Sequence, residues 1–358
     1  MTGQIKAISL FSGAGGMDIG FRRAGVNVIW ANDFEKNACE SYHKNIGGDI
    51  ICSSILDVDY KSLPDCDLVF GGPPCQGFSI AGKMDVNDPR NKLIFAFQNV
   101  VEAKRPRYFV MENVAALGRL AKFAELREKL LSKYHALGYN TRYAVLDSSD
   151  YATPQKRERM ILIGTLDTAD KIQFPQKCSK KITAREALYG LDEPGTGNNL
   201  GVCKAKITLA QSPILRKSPY AGMIFNGMGR PIDLERPAQT LPASMGGNKT
   251  PIIDTLLQKN PNANNWLKEW HDFLLKEEAF DAYSITVPKN LRRITVREAA
   301  RLQGFPDEYI FYGSQCHQYR QIGNSVPPPF AYHVAKAVLD SFRGISYSVP
   351  GEQILLAL

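Results

Sequence analysis

Apolar positions in the first half of the chain fall into two alternating patterns, short unbroken runs and longer stretches with a helical period. Residues 5–11 (Ile-Lys-Ala-Ile-Ser-Leu-Phe) form a brief apolar run ending at Ser12-Gly13-Ala14-Gly15-Gly16, and a helical pattern follows over 17–25. Residues 26–31 read as a second strand and 35–45 as a helix. A strand over 67–70 runs into Gly71-Gly72-Pro73-Pro74-Cys75, a helix covers 93–103, and a strand at 108–111 ends at Glu112-Asn113. A helix over 119–137 and strands over 141–147 and 160–164 complete the series. Strands alternating with helices predict an α/β fold with a doubly wound, mainly parallel sheet. Ligands of such sheets bind beyond the carboxyl ends of the strands, where every unusual motif of this half sits.

The pattern decays from about 193 to 290, where Pro and Gly recur at Pro194-Gly195, Pro213, Pro219, Gly227, Gly229, Pro231, Pro237, Pro242, Gly246-Gly247 and Pro251. Either a separate irregular domain or a long insertion fits. Order returns with a helix over 295–302, opened by the capping-box arrangement Thr295-Val-Arg-Glu298. Residues 320–329 read as turn-rich and 330–341 as a closing helix.

A length of 358 residues favours two domains. The net charge of +8 is unevenly placed: residues 171–306 hold 20 Lys/Arg against 12 Asp/Glu, while the remainder balances at 24 of each. A basic, irregular second part suits a polyanionic partner, although charge alone equally suits a solvated basic surface. No apolar run is long enough for a membrane span, and the N-terminus lacks the features of a secretory signal, so the expectation is a protein acting inside the cell. The seven cysteines include no Cys-x-x-Cys, and no histidine stands at metal-ligand spacing, so neither a disulfide framework nor a metal is expected.

Four motifs carry chemistry. The turn Phe11-Ser-Gly-Ala-Gly-Gly16 lets backbone N–H groups approach a cofactor, and Asp33, 20 residues beyond Gly13, can accept from ribose hydroxyls. It departs from the dinucleotide fingerprint, whose sixth position is here Asp18. In Gly71-Gly-Pro-Pro-Cys75-Gln-Gly-Phe-Ser79 two prolines hold a cysteine on a stiff elbow at a strand end, the exposure a nucleophilic thiol needs. A deaminase zinc site is ruled out, because Pro74-Cys-Gln-Gly-Phe lacks the second cysteine that site requires. Met111-Glu112-Asn113-Val114 sets a carboxylate at a strand end. Gln155-Lys-Arg-Glu-Arg159 precedes a strand whose alternation points Arg157 and Arg159 to one face. Taken singly, these could be a structural turn, a buried thiol, a helix cap and a solvated charge run.

In this order and spacing they resemble the DNA (cytosine-5)-methyltransferase family of the bacterial restriction-modification type. Arg297-Glu-Ala-Ala-Arg-Leu-Gln-Gly-Phe-Pro306 and Gln321-Ile-Gly-Asn-Ser-Val-Pro327 resemble two further blocks, and Glu235-Arg-Pro-Ala-Gln-Thr-Leu241 the Thr-Leu element of its recognition segment. The resemblance implies a Rossmann-like S-adenosylmethionine-dependent methyltransferase domain, discontinuous over 1–192 and 311–345. A smaller irregular target-recognition domain covers 193–310, and a tail covers 346–358.

By the same resemblance Cys75 adds to carbon 6 of cytosine, Glu112 protonates or hydrogen-bonds N3, Arg159 contacts O2, and Arg157 stands near the thiol and the nucleotide backbone. The base must be flipped out of the duplex, with the loop over about 76–92 closing on it. S-adenosylmethionine falls to Phe11, Gly13, Gly15, Asp33, Phe34, Ser54, Ile55, Pro74, Leu93, Asn324 and Ser325. The family usually places an Asp where Ser54 stands, a departure that bears on the adenine contact. Gln76, Ser79, Arg236, Thr240 and Lys249 are the expected DNA contacts. The implied partner is double-stranded DNA, with a cognate restriction endonuclease as functional counterpart, and the implied state is a cytoplasmic monomer without metal. The alternatives are a tRNA cytosine methyltransferase on the same scaffold and a non-catalytic DNA-binding homologue; retention of both Cys75 and Glu112 favours an enzyme.

Overall fold

A computed structural model describes residues 4–48, 50–74, 92–168, 172–276, 282, 284–345 and 355–356. In chain order the elements begin with β1 (Lys6–Leu10), α1 (Gly16–Ala24), β2 (Asn27–Asp33), α2 (Lys36–Ile46), β3 (Ile50–Cys52) and β4 (Leu68–Gly71). They continue with α3 (Lys92–Lys104), β5 (Tyr108–Val114), α4 (Ala115–Arg119), α5 (Ala124–Ala136), β6 (Asn140–Asp147) and β7 (Glu158–Thr165). The later part holds α6 (Ala184–Leu188), β8 (Leu209–Ile214), β9 (Met223–Phe225), β10 (Ile252–Asp254), α7 (Thr255–Lys259), α8 (Trp266–Lys276) and β11 (Leu291–Arg293). Next come α9 (Val296–Gln303), α10 (Gln315–Asn324), α11 (Pro328–Phe342) and the two-residue β12 (Leu355–Leu356).

Two compact units divide the chain: Met1–Ala152 with Arg157–Lys180 and Ser325–Leu358, and Thr153–Lys156 with Lys181–Asn324. These seams differ from the boundaries at 192/193 and 310/311 drawn from the sequence. The backbone amides of Ala184 and Arg185 bond the carbonyls of Arg236 and Leu234, which ties α6 into the second unit. There too the Tyr319 hydroxyl of α10 donates to the Ile294 carbonyl at 2.6 Å.

The first unit holds a mixed sheet of order β12-β6-β7-β5-β4-β1-β2-β3. Strands β3 to β5 run parallel, while β7 lies antiparallel between β5 and β6. Side chains alternate across it with period two. Ile8, Leu10, Phe109 and Met111 pack with α3 and α5 on one face, whereas Ala7, Phe70, Tyr108 and Val110 pack with α1 and α11 on the other. Burial on both faces explains why these strands read as unbroken apolar runs. α11 seats directly on α1. A Cβ at Gly20 would fall 2.4 Å from the Tyr332 amide nitrogen and 2.5 Å from the Ala331 Cβ, so only glycine allows the contact.

Two elements differ from expectation. The helix read over 119–137 starts later: Arg119 closes α4, Leu120 is extended (φ −81°, ψ 130°), and α5 begins at Ala124, with an Arg127 guanidinium donor bonding the Leu117 carbonyl across the break at 2.9 Å. The turn-rich reading of 320–329 is also corrected. Residues 320–324 finish α10, where the fully buried Tyr319 and Ile322 give helical spacing, and only the segment before Pro328 turns.

In the second unit two short antiparallel pairs, β8–β9 and β10–β11, share an apolar cluster with α8. α8 buries Leu267, Trp270, His271 and Leu274, an i, i+3, i+4, i+7 stripe present in the sequence but passed over in reading 193–290 as irregular. α9 carries the capping box read from sequence: the Thr295 side chain accepts from the Glu298 amide and Glu298 accepts from the Thr295 amide.

Candidate active site

Sheet register gathers the motifs of the first unit on one edge. Leu10, the last residue of β1, pairs with Asn32 of β2 and Gly71 of β4, and Gly71 in turn pairs with Met111 of β5. The residues that follow, Phe11, Asp33, Gly72 and Glu112, therefore lie side by side along that edge. β7 enters from the same edge because it is antiparallel, with Arg159 opposite Val114.

Glu112 is buried, and its Oε1 pairs with the Nε of Arg159 at 2.8 Å. Burial holds the Arg159 guanidinium below its ordinary value, against the pull of Glu112. Arg157 is buried more deeply and held well below its ordinary value by burial and the like charge of Arg159, with Glu112 opposing. The three side chains thus share one electrostatic neighbourhood, one carboxylate among two cations. A Cβ at Gly72 would meet Glu112 Oε2 at 2.8 Å, so the chain leaving β4 passes directly against the carboxylate. The Asn113 side-chain amide donates to the Pro73 carbonyl at 3.2 Å and fixes that segment. Asn113 was not singled out from sequence; its place beside Glu112 was the available signal. Pro74 is the last residue described before the loop, and Cys75, Gln76 and Ser79 lie outside the described residues.

The glycine turn supplies the second part of the site. Phe11 holds a left-handed backbone (φ 54°), a strained conformation for a side-chain-bearing residue. Its turn is fixed by the Ser12 amide donating to Asn32 O at 2.9 Å and the Gly15 amide to Ser12 O at 2.8 Å. The Gly13 amide donates to Asp33 Oδ2 at 2.8 Å and the Glu35 amide to Oδ1 at 2.9 Å. Burial raises the Asp33 carboxyl above its usual range despite these bonds. Each oxygen keeps lone-pair capacity for a diol. Next to it Phe34 is 67% exposed, an unusual state for a ring that no partner covers among the described residues. Acceptor carboxylate, exposed ring and open backbone turn together fit an adenosine-type ligand.

The other cofactor candidates are more varied. Ser54 caps a helical turn, its hydroxyl oxygen accepting from the Leu56 amide at 3.3 Å. Ile55 is buried in the apolar core, and Leu93 is half-buried against the same core. Gly15 caps α1 with φ 74°. Asn324 ends α10 in the second unit, exposed, whereas Ser325 is buried and opens the return of the chain to the first unit.

Within the second unit Arg236 and Lys249 are exposed, with Arg236 Nε 3.6 Å from Asp233. The Thr240 hydroxyl donates to the Lys156 carbonyl at 2.7 Å. Gln155, read from sequence only as the start of a charge run, is fully buried here. Its Oε1 accepts from the Leu241 amide at 3.1 Å and its Nε2 donates to Gln303, so it joins the Thr-Leu element to the end of α9.

The profile of the C-5 cytosine-specific DNA methylase family matches residues 5–340. The chain belongs to that family. It is 34% identical to the Type II methyltransferase M.MthTI of Methanothermobacter thermautotrophicus over 94% of this chain and 98% of that protein. Identity to M.FnuDI of Fusobacterium nucleatum, also a Type II methyltransferase, is 32% over 94% and 95%. Among solved structures, a protein described as a DNA modification methyltransferase encoded within an E. coli prophage superposes with a TM-score of 0.66 at 24% identity, over 95% of this chain and 99% of that one. S. pombe Dnmt2 methyltransferase superposes with 0.65 at 20% identity, over 96% and 99%. These two likenesses concern the fold. The methylase is therefore an enzyme, and its family implies S-adenosylmethionine as methyl donor and DNA as substrate. Among the described residues no group of three or more His, Cys, Asp or Glu could hold a metal ion, and no helix is long and apolar enough to cross a membrane.

Proposed function

We propose that this methylase transfers a methyl group from S-adenosylmethionine to carbon 5 of a flipped-out cytosine in a specific double-stranded DNA sequence, through a covalent bond between Cys75 and carbon 6. The carrying observation is the Glu112–Arg159 pair at the sheet edge, held against Gly72 three residues before Cys75. Carbon 5 of cytosine is too poor a nucleophile to react unaided. Addition of the Cys75 thiolate to carbon 6 turns the ring into an enamine, while Glu112 hydrogen-bonds or protonates N3 to accept the displaced electrons. Arg159 orients Glu112 and contacts O2; Arg157 adds positive potential that favours thiolate. S-adenosylmethionine supplies an electrophilic methyl carbon and departs as the neutral thioether. Loss of the carbon-5 proton then expels the thiolate and restores the aromatic ring. Asp33 and Phe34 hold the donor by ribose and adenine, with Ser54 accepting from the adenine amino group in place of the customary carboxylate.

The second unit, basic and built from short pairs and loops, is assigned the reading of base edges, with Arg236, Thr240 and Lys249 as contacts. The names of the two Type II relatives support sequence-specific modification, with a cognate restriction endonuclease as the functional counterpart; a monomer is the proposed working state. Side-by-side transfer of labelled methyl to duplex DNA and to tRNA tests the proposal. Label enters the duplex as 5-methylcytosine, and Cys75→Ser abolishes it; label in tRNA alone, or full activity of C75S, overturns the reading. Bisulfite sequencing of DNA from expressing cells then names the target.

A further inference from the structure

Two cysteines that the methyl-transfer chemistry does not use converge on the backbone of Asp33. Cys39 stands in the first turn of α2, and Cys52 is the last residue of β3. The parallel register of β2 and β3 pairs Cys52 with Asp33. The Asp33 carbonyl accepts from the amide of Ser53, the residue after Cys52, at 3.0 Å, and from the Cys39 thiol at 3.5 Å. One carbonyl oxygen therefore anchors both the chain leaving Cys52 and the Cys39 sulfur. The two thiols are themselves in hydrogen-bond contact. Cys39 is buried, Cys52 is exposed, and both are free thiols.

Free cysteine is among the most buried of residue types and packs as a small hydrophobe. Packing accounts for Cys39 but not for an exposed Cys52 set against it. An accessible thiol backed by a buried one suits disulfide exchange, in which one sulfur meets the oxidant and the other resolves the adduct. Burial and the neighbouring thiol push Cys39 well above its ordinary value, so it keeps its proton until Cys52 has reacted. We infer that Cys39 and Cys52 form a reversible oxidation site, closed by a small disulfide compound, beside the carboxylate assigned to the donor's ribose. The Cys52 thiolate attacks one sulfur of the oxidant, leaving a mixed disulfide and expelling a thiolate. That thiolate takes the Cys39 proton, and the Cys39 sulfur attacks Cys52 and expels the second half of the oxidant, which picks up the proton Cys52 had lost. Two electrons pass from the protein to the oxidant, which ends as two thiols.

Closure removes the S–H that donates to the Asp33 carbonyl and ties the end of β3 to α2. Phe34 follows Asp33, and Ser54 and Ile55 follow Cys52 by two and three residues, so both segments assigned to the donor's ribose and adenine are constrained. This consequence rests on the cofactor reading proposed above; the thiol chemistry does not.

The full chain is tested in a Cys75→Ser background, so that the proposed nucleophile does not contribute. After exposure to bis(2-hydroxyethyl) disulfide it is quenched with acid, alkylated and digested with trypsin. The expected product links peptide 37–44, which carries Cys39, to peptide 45–61, which carries Cys52, and dithiothreitol separates them. The oxidised chain should bind S-adenosylhomocysteine several-fold more weakly by calorimetry and recover on reduction, whereas added Cys52→Ser should make affinity indifferent to the oxidant. Absence of the linked peptide, or a mixed disulfide at Cys52 that Cys39 leaves unresolved, overturns the inference. A linked peptide with unaltered affinity overturns its coupling to the donor. Asp33→Ala in the reduced chain tests the cofactor reading by itself: unchanged affinity there removes that reading and leaves the linked peptide to decide the oxidation site.

Discussion

Arg159 and Glu112 hold each other in place, and each is costly without the other. Their side chains are 16% and 12% exposed and 2.8 Å apart, so removing one partner strands a mostly desolvated charge. Arg159→Met should destabilise the protein by about 3–5 kcal/mol in urea unfolding, while the double variant Glu112→Gln/Arg159→Met recovers part of that loss. Equal stability of the two variants would mean that the pair does not hold the edge together. Asp18 gives a second test at this scale. Fully buried on α1, it accepts from the Tyr42 hydroxyl at 2.9 Å, and burial pushes its carboxyl from 3.8 up to about 6. The folded state therefore binds the proton more tightly than the unfolded chain. The contribution is fully present below pH 3.8 and fades as pH rises through 6. At roughly 1.4 kcal/mol per unit, Asp18→Asn should gain about 3 kcal/mol on the wild type between pH 4 and 7. A difference constant with pH would contradict this. The sequence showed only that Asp18 broke the glycine fingerprint; the tyrosine 24 residues away that makes the break useful could not be read from spacing.

At the scale of elements, the edge exists because register sets the ends of β1, β2 and β4 level with Met111 of β5, and α11 packs on α1 behind that sheet. Gly20 is the contact point. Gly20→Ala should cost at least about 1–3 kcal/mol, and depress activity through the displaced turn at 11–16, because its Cβ would meet backbone rather than a yielding side-chain tip. An unchanged Tm would show that α11 gives way freely. The elements most legible in the sequence were those with both faces buried, such as β4 and β5, whose apolar runs have no other explanation. The antiparallel insertion of β7 was not legible, since alternation specifies faces but not direction. α8 was legible and was missed: its stripe at 267, 270, 271 and 274 lies in a stretch with no glycine, inside a longer segment read as irregular. Of the candidate site, the strand-end placement of Glu112, Arg159 and Asp33 was legible from their motifs. Asn113 and Gln155 were not, because their partners, Pro73 and Leu241, are brought to them only by the fold.

Across the whole molecule, the proposed work is divided between two units, both net positive: the sheet edge of the first is assigned bond making, and the shorter, loop-rich second unit, with the larger positive excess, is assigned the polyanion. Duplex affinity should fall steeply and linearly with salt on logarithmic axes, as released phosphate counterions require; a flat response would remove DNA as the partner of the basic unit. The central claim, a Cys75 sulfur bonded to a cytosine ring beside Glu112, is tested most directly with a duplex carrying 5-fluorocytosine at the target position. Fluorine blocks the loss of the carbon-5 proton on which release of the thiolate depends. With S-adenosylmethionine present, the account predicts a denaturant-stable protein–DNA adduct, with mass spectrometry locating the methylated, fluorinated base on the peptide that contains Cys75. Tight binding of that duplex with no adduct, or an adduct on another residue, would contradict it.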